Sequence, residues 1–447
     1  MGITYQQALD YIWGLVDYET TPHPFAAANY DLRRMEELLA RLGQPHLAAK
    51  SVHIAGSKGK GSTAAMVASA LITAGYGTGL YISPHLNDPR ERIRVDDELI
   101  TEAELIALVE RLKPEIAAMN EEATHGQLTT FELLTAMGFA YFKMKGAQFQ
   151  VVEVGLGGRV DATNVVQPEV CVITSISLDH TDVLGDSLPA LAAEKAGVIK
   201  PGIPVVVSPQ RDEVAQVIEE TCLSRGAPLL RVGRDVTWQG LGFNATQQSL
   251  KVKGRLGEYK LSLPLLGRFQ LENAATAVAA LEVLAERGFN ISPSHIIDGM
   301  ARVRWPGRFH VLRHQPLLVV DGAHNPDSAG KLRQSLSEYL RFARAILVMG
   351  VSCDKNIAGI VAELAPLFDE AIIAHSHHPR AMAPEPIVAE FVRHGVKTRV
   401  VGDVPAALSL AMEIASPQDL ICVTGSLFVV GEAIEYIATL GSLPGLG

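Results

Sequence analysis

Apolar positions in this chain follow two rhythms, one recurring every third or fourth residue and one of short unbroken runs, and the two alternate. Residues 4 to 16 and 31 to 42 carry the helical spacing, the second with Leu32, Met35, Leu38, Leu39 and Leu42 on one face. The run Val52 to Ala55 predicts a buried strand, and Met66, Val67, Ala70, Leu71 and Ala74 predict the helix after it. Further strands are expected over 80 to 82, 149 to 154, 170 to 176 and 205 to 207, separated by helices over 101 to 122, 130 to 145 and 188 to 200. The αβ alternation runs on to about Leu230. Residues 235 to 263 switch to short alternating segments, which predict an antiparallel patch, and helices 269 to 287 and 292 to 301 follow.

Pro306 and Gly307 in Arg304-Trp-Pro-Gly-Arg308 interrupt any element and mark a hinge. Beyond them strands near 317 to 321, 345 to 349, 370 to 374, 398 to 401 and 420 to 424 alternate with helices, the pattern of a second α/β unit. A chain of 447 residues exceeds what one hydrophobic core serves, so two domains are expected, 1–303 and 304–447.

The net charge of −10 is dispersed, and without a basic run there is no footprint for nucleic acid. No stretch approaches the ~18 apolar residues a membrane span needs. Gln6 stands where a myristoylation signal wants Ser or Thr. Cys171, Cys222, Cys353 and Cys422 are scattered and read as buried thiols in a reducing compartment. A soluble cytoplasmic protein with small-molecule partners is expected, by default a monomer.

The chemistry begins at Gly56-Ser-Lys-Gly-Lys-Gly-Ser-Thr63, between a buried strand and a helix. Such a turn aims backbone N–H groups at a polyphosphate where the helix dipole favours anions. Lys60 would reach the terminal phosphates and the Ser62 hydroxyl would hold Mg2+. Strict Walker spacing is not met, since Ile54 replaces the first glycine and Gly61 delays the hydroxyl by one residue. A ligand-free glycine turn is the plain alternative, but two lysines in so tight a loop repel one another unless an anion is present.

Other polar residues fall at strand ends, the ligand-binding edge of an open parallel sheet. Ser83 precedes Pro84 there, Glu153 interrupts an apolar strand, and Asp179-His180 closes another. Glu153 needs a cation, either a metal or the side chain of Arg159 or Lys60. Gly155-Leu-Gly-Gly-Arg159 is no dinucleotide fingerprint, because Ala162 stands where the pattern needs glycine. Lys195 falls in the centre of the apolar face formed by 188, 191, 192, 198 and 199. Its ammonium must find a partner, snorkel to solvent or lose its charge; as a neutral amine it would take up CO2 to give a carbamate that binds a second Mg2+. In the second domain Asn325 and Pro326 account for a helix start, whereas Asp321 and His324 ask for another explanation. Asp354-Lys-Asn356 and Thr424-Gly-Ser426 are similar clusters at strand ends, and His375-Ser-His-His-Pro-Arg380 reads as a polar cleft lining rather than a metal site.

In this order the motifs resemble one family, the folylpolyglutamate synthase and dihydrofolate synthase branch of the Mur ligases. The residues that carry the resemblance span almost the whole chain. They are Gly56 to Ser62, Ser83-Pro-His-Leu86, Glu91-Arg-Ile93, Thr130-Phe-Glu132, Glu153 to Asn164, Asp179-His180, Glu194-Lys-Ala-Gly197, Gly267 to Asn273, Trp305-Pro-Gly-Arg308, Asp321 to Pro326 and Thr424-Gly-Ser-Leu427. Ser57 and Lys58 depart from the commoner Thr-Asn of the phosphate loop, which implies altered nucleotide affinity at most. The resemblance implies an N-terminal P-loop domain with a mainly parallel sheet, a C-terminal Rossmann-like domain and an active site between them. It implies ATP on Ser57, Lys58, Gly59, Lys60, Gly61, Ser62 and Thr63, with Asn273, Arg308 and Asp321 also touching the nucleotide. Ser62, Ser83, Glu153 and His180 would serve Mg2+, with Lys195 carbamylated. The pterin ring would lie near Tyr30, Leu32, Thr130, Phe131, Val160, Asp161 and Ala162, and His324 and Ser426 near the incoming glutamate.

The implied reaction is ATP-dependent amide ligation. A folate or dihydropteroate carboxylate attacks the γ-phosphate, and the amino group of L-glutamate displaces phosphate from the acyl phosphate. Catalysis would rest on Lys60, Lys195, His180 and His324. A P-loop kinase, a non-catalytic nucleotide-binding module and a muramyl-peptide ligase are the rivals; the first is separated from a ligase by whether the product gains a glutamyl residue or a phosphate.

Overall fold

A computed structural model of the chain describes residues 2–17, 31–178 and 187–441. The chain divides into two compact units: Met1–Leu241 with Ser249–Leu263 and Gln270–Val303, and Gly242–Gln248 with Pro264–Phe269 and Arg304–Gly447.

The first unit is built on β1 (Lys50–Ala55), β2 (Thr78–Tyr81), β3 (Ile93–Val95), β4 (Glu98–Leu99), β5 (Phe149–Glu153), β6 (Pro168–Ile173), β7 (Val205–Val207) and β8 (Leu229–Arg231). Their order is β4-β3-β2-β5-β1-β6-β7-β8. From β2 to β8 every pairing is parallel, while β3 and β4 form an antiparallel edge. The central strands are buried on both faces, which is why Val52, Ile54, Val151, Val152 and Val172 sit in nearly unbroken apolar runs.

Helices cover both faces. α1 (Tyr5–Trp13), α2 (Leu32–Arg41), α4 (Glu102–Glu122) and α5 (Thr130–Met144) share one core with Tyr81, Ile93 and Val152, whereas α3 (Lys60–Thr73) follows β1 directly. α6 (Leu188–Ala196) and α7 (Asp212–Ser224) bury Leu191, Ala192, Val214 and Ile218 against β6 and β7. Each of the Leu, Val and Ile side chains among them contributes about 1.5–3 kcal/mol. α3 is lined with Ala64, Ala65, Ala68 and Ala70, and small size matters there: a Cβ on Gly299 of α9 (Pro293–Arg302) would lie 2.4 Å from the Ala70 Cα. α8 (Arg268–Glu286) precedes α9.

A separate three-stranded sheet, β9 (Thr237–Phe243), β10 (Gln248–Lys253) and β11 (Glu258–Leu263), has the order β11-β10-β9. Tight turns closed by Asn244 N to Gln247 O and Gly254 N to Gly257 O leave no room for a parallel crossover, so the strands run antiparallel.

The second unit carries β12 (His310–His314), β13 (Leu317–Val320), β14 (Ala345–Met349), β15 (Glu370–Ala374), β16 (Lys397–Val401) and β17 (Leu420–Thr424), in the order β12-β13-β17-β14-β15-β16. Only the β12 to β13 pairing is antiparallel. α10 (Pro326–Tyr339), α11 (Ile357–Leu364), α12 (Pro384–Arg393), α13 (Val404–Ile414) and α14 (Leu427–Thr439) alternate with these strands. The segments 242–248 and 264–269 belong to this unit because Gln248 Nε2 donates to Leu265 O and Gly267 O, and its Oε1 accepts from Tyr339 Oη.

Several expected elements differ in extent. β6 stops at Ile173 rather than 176, and α6 ends at Ala196 because Gly197 caps it. The strands β3, β4 and β12 were not expected. Cys171, Cys222 and Cys422 are buried, but Cys353 is exposed: it lies on the turn after β14, where its amide donates to Arg380 O.

Candidate active site

β1, β2, β5 and β6 are adjacent and parallel, so the residues after their C-terminal ends share one sheet edge. After β1 the chain turns through Gly56 to Gly59 into α3. Gly59 is the N-cap, with φ at 89°, and it supplies no side-chain cap. The first-turn amides of α3 therefore have no acceptor from a capping side chain, and the positive end of the helix dipole lies there. Glycine is required at the cap: a Cβ there would lie 2.3 Å from Asn273 Oδ1, in a backbone conformation L side chains avoid. The loop is braced from β6, with the Ser57 and Lys58 amides donating to Ser175 O and Ser57 Oγ donating to Ser177 O.

Lys60, the first residue of α3, places its ammonium 3.7 Å from Glu153 Oε1, and the Ser83 amide lies 3.4 Å from Glu153 Oε2. Arg159, the other cation considered for Glu153, instead pairs with Glu194 at 2.9 Å. Lys195 does not snorkel: it is 6% exposed and its Nζ donates to Gly56 O at 3.1 Å, joining α6 to the phosphate turn. Gly158 and Gly197 permit that packing. A Cβ on Gly158 would lie 2.9 Å from Glu194 O, and one on Gly197 would lie 2.4 Å from the Arg159 Cβ. The structure thus gathers Ser57 to Thr63, Ser83, Glu153, Lys195 and Asn273. His180 and Tyr30 lie outside the described residues.

Leu32 opens α2 and Thr130 opens α5, with the Thr130 hydroxyl donating to Ile12 O. The Phe131 ring sits 6.3 Å from Tyr81 and would collide with a Cβ on Gly155. Val160, Asp161 and Ala162 lie on the loop between β5 and β6, where Asp161 caps a short 3-10 turn, Ala162–Val165. Burial pushes the Asp161 carboxyl above its ordinary pKa, opposed by the Thr163 hydroxyl, backbone amides and the charge of Lys60.

In the second unit Asp321 follows β13. Its carboxylate accepts from Phe309 N at 2.7 Å and Ala323 N at 2.9 Å, holding Phe309 at a φ of 43°. Gly322 is pressed between Leu427 and Arg308, whose Nη1 would lie 2.6 Å from a Cβ there. His324 Nδ1 is 2.7 Å from Gly322 O; a carbonyl only accepts, so Nδ1 carries the proton and Nε2 is the basic nitrogen of the neutral ring. Asn325 caps α10 with Pro326 in its first turn, and Ser426 caps α14 through Val429 N. The loop after β15 packs His378 flat on Phe428 at 3.7 Å and pairs His377 with Glu432. Among the described residues no group of three or more His, Cys, Asp or Glu side chains is arranged to hold a metal.

Sequence reasoning named Gln270 and Glu132 only as parts of family motifs, with no role for either, and did not name Arg34. Gln270 Nε2 reaches Ser62 Oγ at 3.3 Å, and Asn273 Nδ2 donates to Gln270 Oε1 at 2.9 Å. The i, i+3 spacing of 270 and 273 was the available signal. Arg34 and Glu132 meet at 2.9 Å although they are 98 residues apart, which no local pattern announces.

Residues 54–281 match the Mur ligase middle domain and residues 307–427 the Mur ligase glutamate ligase domain. A Halobacterium salinarum protein named probable bifunctional folylpolyglutamate synthase/dihydropteroate synthase is 35% identical over 433 residues, covering 96% of this chain and 51% of that one. The chain thus spans about half the length of that relative. The dihydrofolate synthase/folylpolyglutamate synthase of Bacillus subtilis is 34% identical, over 85% of this chain and 87% of its own. Among solved structures, Escherichia coli FolC in complex with DHPP and ADP has a TM-score of 0.85 at 31% identity, covering 98% of this chain and 99% of that one. The two domain matches, the relatives that align along most of their length and the shared fold agree: the chain belongs to the folylpolyglutamate synthase/dihydrofolate synthase family of Mur ligases.

Proposed function

We propose that this chain is an ATP-dependent amide ligase that adds L-glutamate to folates, and also to dihydropteroate, through an acyl phosphate. The observation that carries the reading is the phosphate turn: an uncapped helix start with Lys60 on it, facing the buried carboxylate of Glu153 at the same sheet edge as Ser83, with Lys195 bonded to the turn at Gly56. The Escherichia coli relative in complex with DHPP and ADP supports a nucleotide and a second ligand in this fold.

The donor set suits Mg2+. Ser62, Ser83 and Glu153 offer hard oxygens, and one carboxylate among them matches an ion that completes its shell with phosphate and water. Bound there, the ion would offset charge on the phosphoryl group being transferred. Lys195 is buried beside the loop and suits a carbamate formed with CO2, which would add oxygens for a second ion.

The first-turn amides of α3 and the Lys60 ammonium bind and orient the phosphates, and Asn273, packed against Gly59, is assigned to the nucleotide as well. The substrate carboxylate oxygen forms a bond to the γ-phosphorus as the bond to ADP breaks. The α-amino nitrogen of glutamate then forms the amide as phosphate leaves, and the ammonium protons must go to a base. His324, its ring held at Nδ1 by the Gly322 carbonyl, is assigned that task. Asp161, Ala162, Thr130 and Phe131 are assigned to the pterin and Ser426 to glutamate.

The test is phosphate release and product mass with ATP, Mg2+, L-glutamate and either dihydropteroate or tetrahydrofolate. Release that needs both the acid and glutamate, with a product heavier by one glutamyl residue, is expected. Equal release without either, or a stable phosphorylated product, would overturn the reading.

A further inference from the structure

The loop between β5 and β6 contains a polar chain that the ligase reading leaves unused. His53, wholly buried on β1, brings Nε2 within 2.9 Å of Thr163 Oγ1. Thr163, also wholly buried, donates that hydroxyl to Asp161 Oδ1 at 2.5 Å, and its amide donates to the same oxygen at 3.0 Å. The other oxygen, Oδ2, accepts from Leu156 N at 2.9 Å.

Chemistry fixes the direction of this chain. The Thr163 hydroxyl donates to Asp161 Oδ1, so its one hydrogen is used on that side and the Thr163 oxygen accepts from His53. His53 is therefore the tautomer protonated at Nε2, and its Nδ1 has no partner among the described residues. The turn Ala162–Val165 needs only the bond from Thr163 N to Asp161. The hydroxyl and the histidine behind it are surplus to making that turn, yet both are placed at hydrogen-bond distance in the core. A carboxylate offers about four acceptor positions, and the three donors described occupy two on Oδ1 and one on Oδ2. The position left is on Oδ2.

We propose that Thr163, backed by His53, is a positioning residue for substrate recognition: it fixes Asp161 so that the remaining Oδ2 position accepts an N–H of the substrate's heterocyclic ring. This rests on the reading above that Asp161 lies against the pterin. Threonine suits the task because its β-branch holds χ1, whereas serine keeps the hydroxyl but rotates more freely.

The experiment uses the full chain and compares Thr163→Val, Thr163→Ser, Asp161→Asn, His53→Leu and His53→Gln. KM for dihydropteroate and tetrahydrofolate is read against KM for ATP and against kcat, with a thermal melt for each variant. Losing a buried hydrogen bond to the Asp161 carboxyl predicts that Thr163→Val raises KM for the pterin substrate about tenfold while KM for ATP stays within about twofold. Thr163→Ser, which restores the donor, should recover most of that loss. A role confined to folding would not separate Val from Ser in this way. Where Thr163→Val does not fold, the His53 pair decides: Leu should raise KM for the pterin substrate, and Gln, which keeps an N–H, should raise it less. Asp161→Asn that raises KM while both Thr163 variants behave as wild type would overturn the positioning role alone. Asp161→Asn with unchanged KM would overturn the pterin assignment and the inference with it. Equal rises in KM for ATP and for the pterin substrate would also count against it.

Discussion

Lys60 Nζ stands 3.7 Å from Glu153 Oε1, close enough for strong attraction and too far for a hydrogen bond of ordinary length. The side chains are 16% and 7% exposed, so little water screens them. At such a separation two unit charges attract by about 4 kcal/mol at an effective dielectric near 20. The carboxylate is thus held beside the Lys60 ammonium on one oxygen and the Ser83 amide on the other.

Glu153→Gln keeps the shape and removes the charge. We expect ATP-dependent phosphate release to fall by about a hundredfold or more, with a higher Mg2+ requirement in the activity that remains. Titration of Mg2+ against rate checks both; an unchanged Mg2+ dependence would detach Glu153 from the metal.

Lys195→Ala should be folded and inactive. Its ammonium is buried and spent on Gly56 O, so the variant loses a brace of the phosphate turn together with the proposed carbamate. Added short carboxylates should restore part of the activity by occupying the carbamate's place. Full activity without them would rule out the carbamate.

Much of this arrangement was legible from side-chain pattern. The run Val52 to Ala55 and the glycines after it announced β1 and the phosphate turn, and the strands of the second unit fall almost where the apolar runs end. β3 and β4 escaped because segments of three and two residues show no period. Their hairpin signal was Asp96-Asp97, both with positive φ, as a two-residue turn of this kind requires. β12 escaped because it mixes Val311 and Leu312 with Arg313 and His314 on an antiparallel edge with a register shift. Lys195 was legible because a charge on an apolar face demands a reason. Gln270 offered only its i, i+3 spacing to Asn273 and Thr163 no local signal, since their main partners are 208 and 110 residues away in sequence.

Arg34→Met should cost about 3–5 kcal/mol of folding stability, because it strands the Glu132 carboxylate in the core. Both side chains of the pair are under 10% exposed. Burial already drives the Glu132 carboxyl above its ordinary pKa, against the pull of Arg34 and the Thr129 donors. Adding Glu132→Gln to Arg34→Met should recover a substantial part of the loss in urea unfolding at pH 7. If the double variant is no more stable than the single one, the penalty lies in packing and not in the unpaired charge.

Burial, helped by Lys200, drives the His53 pKa down to about 3, against an ordinary value of 6.5. Between those values the unfolded chain binds a proton that the folded chain refuses, so this group's contribution to stability falls as pH drops below 6.5 and levels off near 3. His53→Gln removes the term. Urea unfolding at pH 7, 5.5 and 4.5 should therefore show a shallower acid loss in the variant than in the wild type, and parallel slopes would contradict it.

Gly158 and Gly197 bring the β5–β6 loop and α6 backbone to backbone, with Arg159 N bonded to Glu194 O. Nothing compressible separates the stretch holding Asp161 from the helix holding Lys195. The loop and the helix are thus seated directly on one another, and neither glycine can acquire a side chain by drift unless the facing atoms retreat.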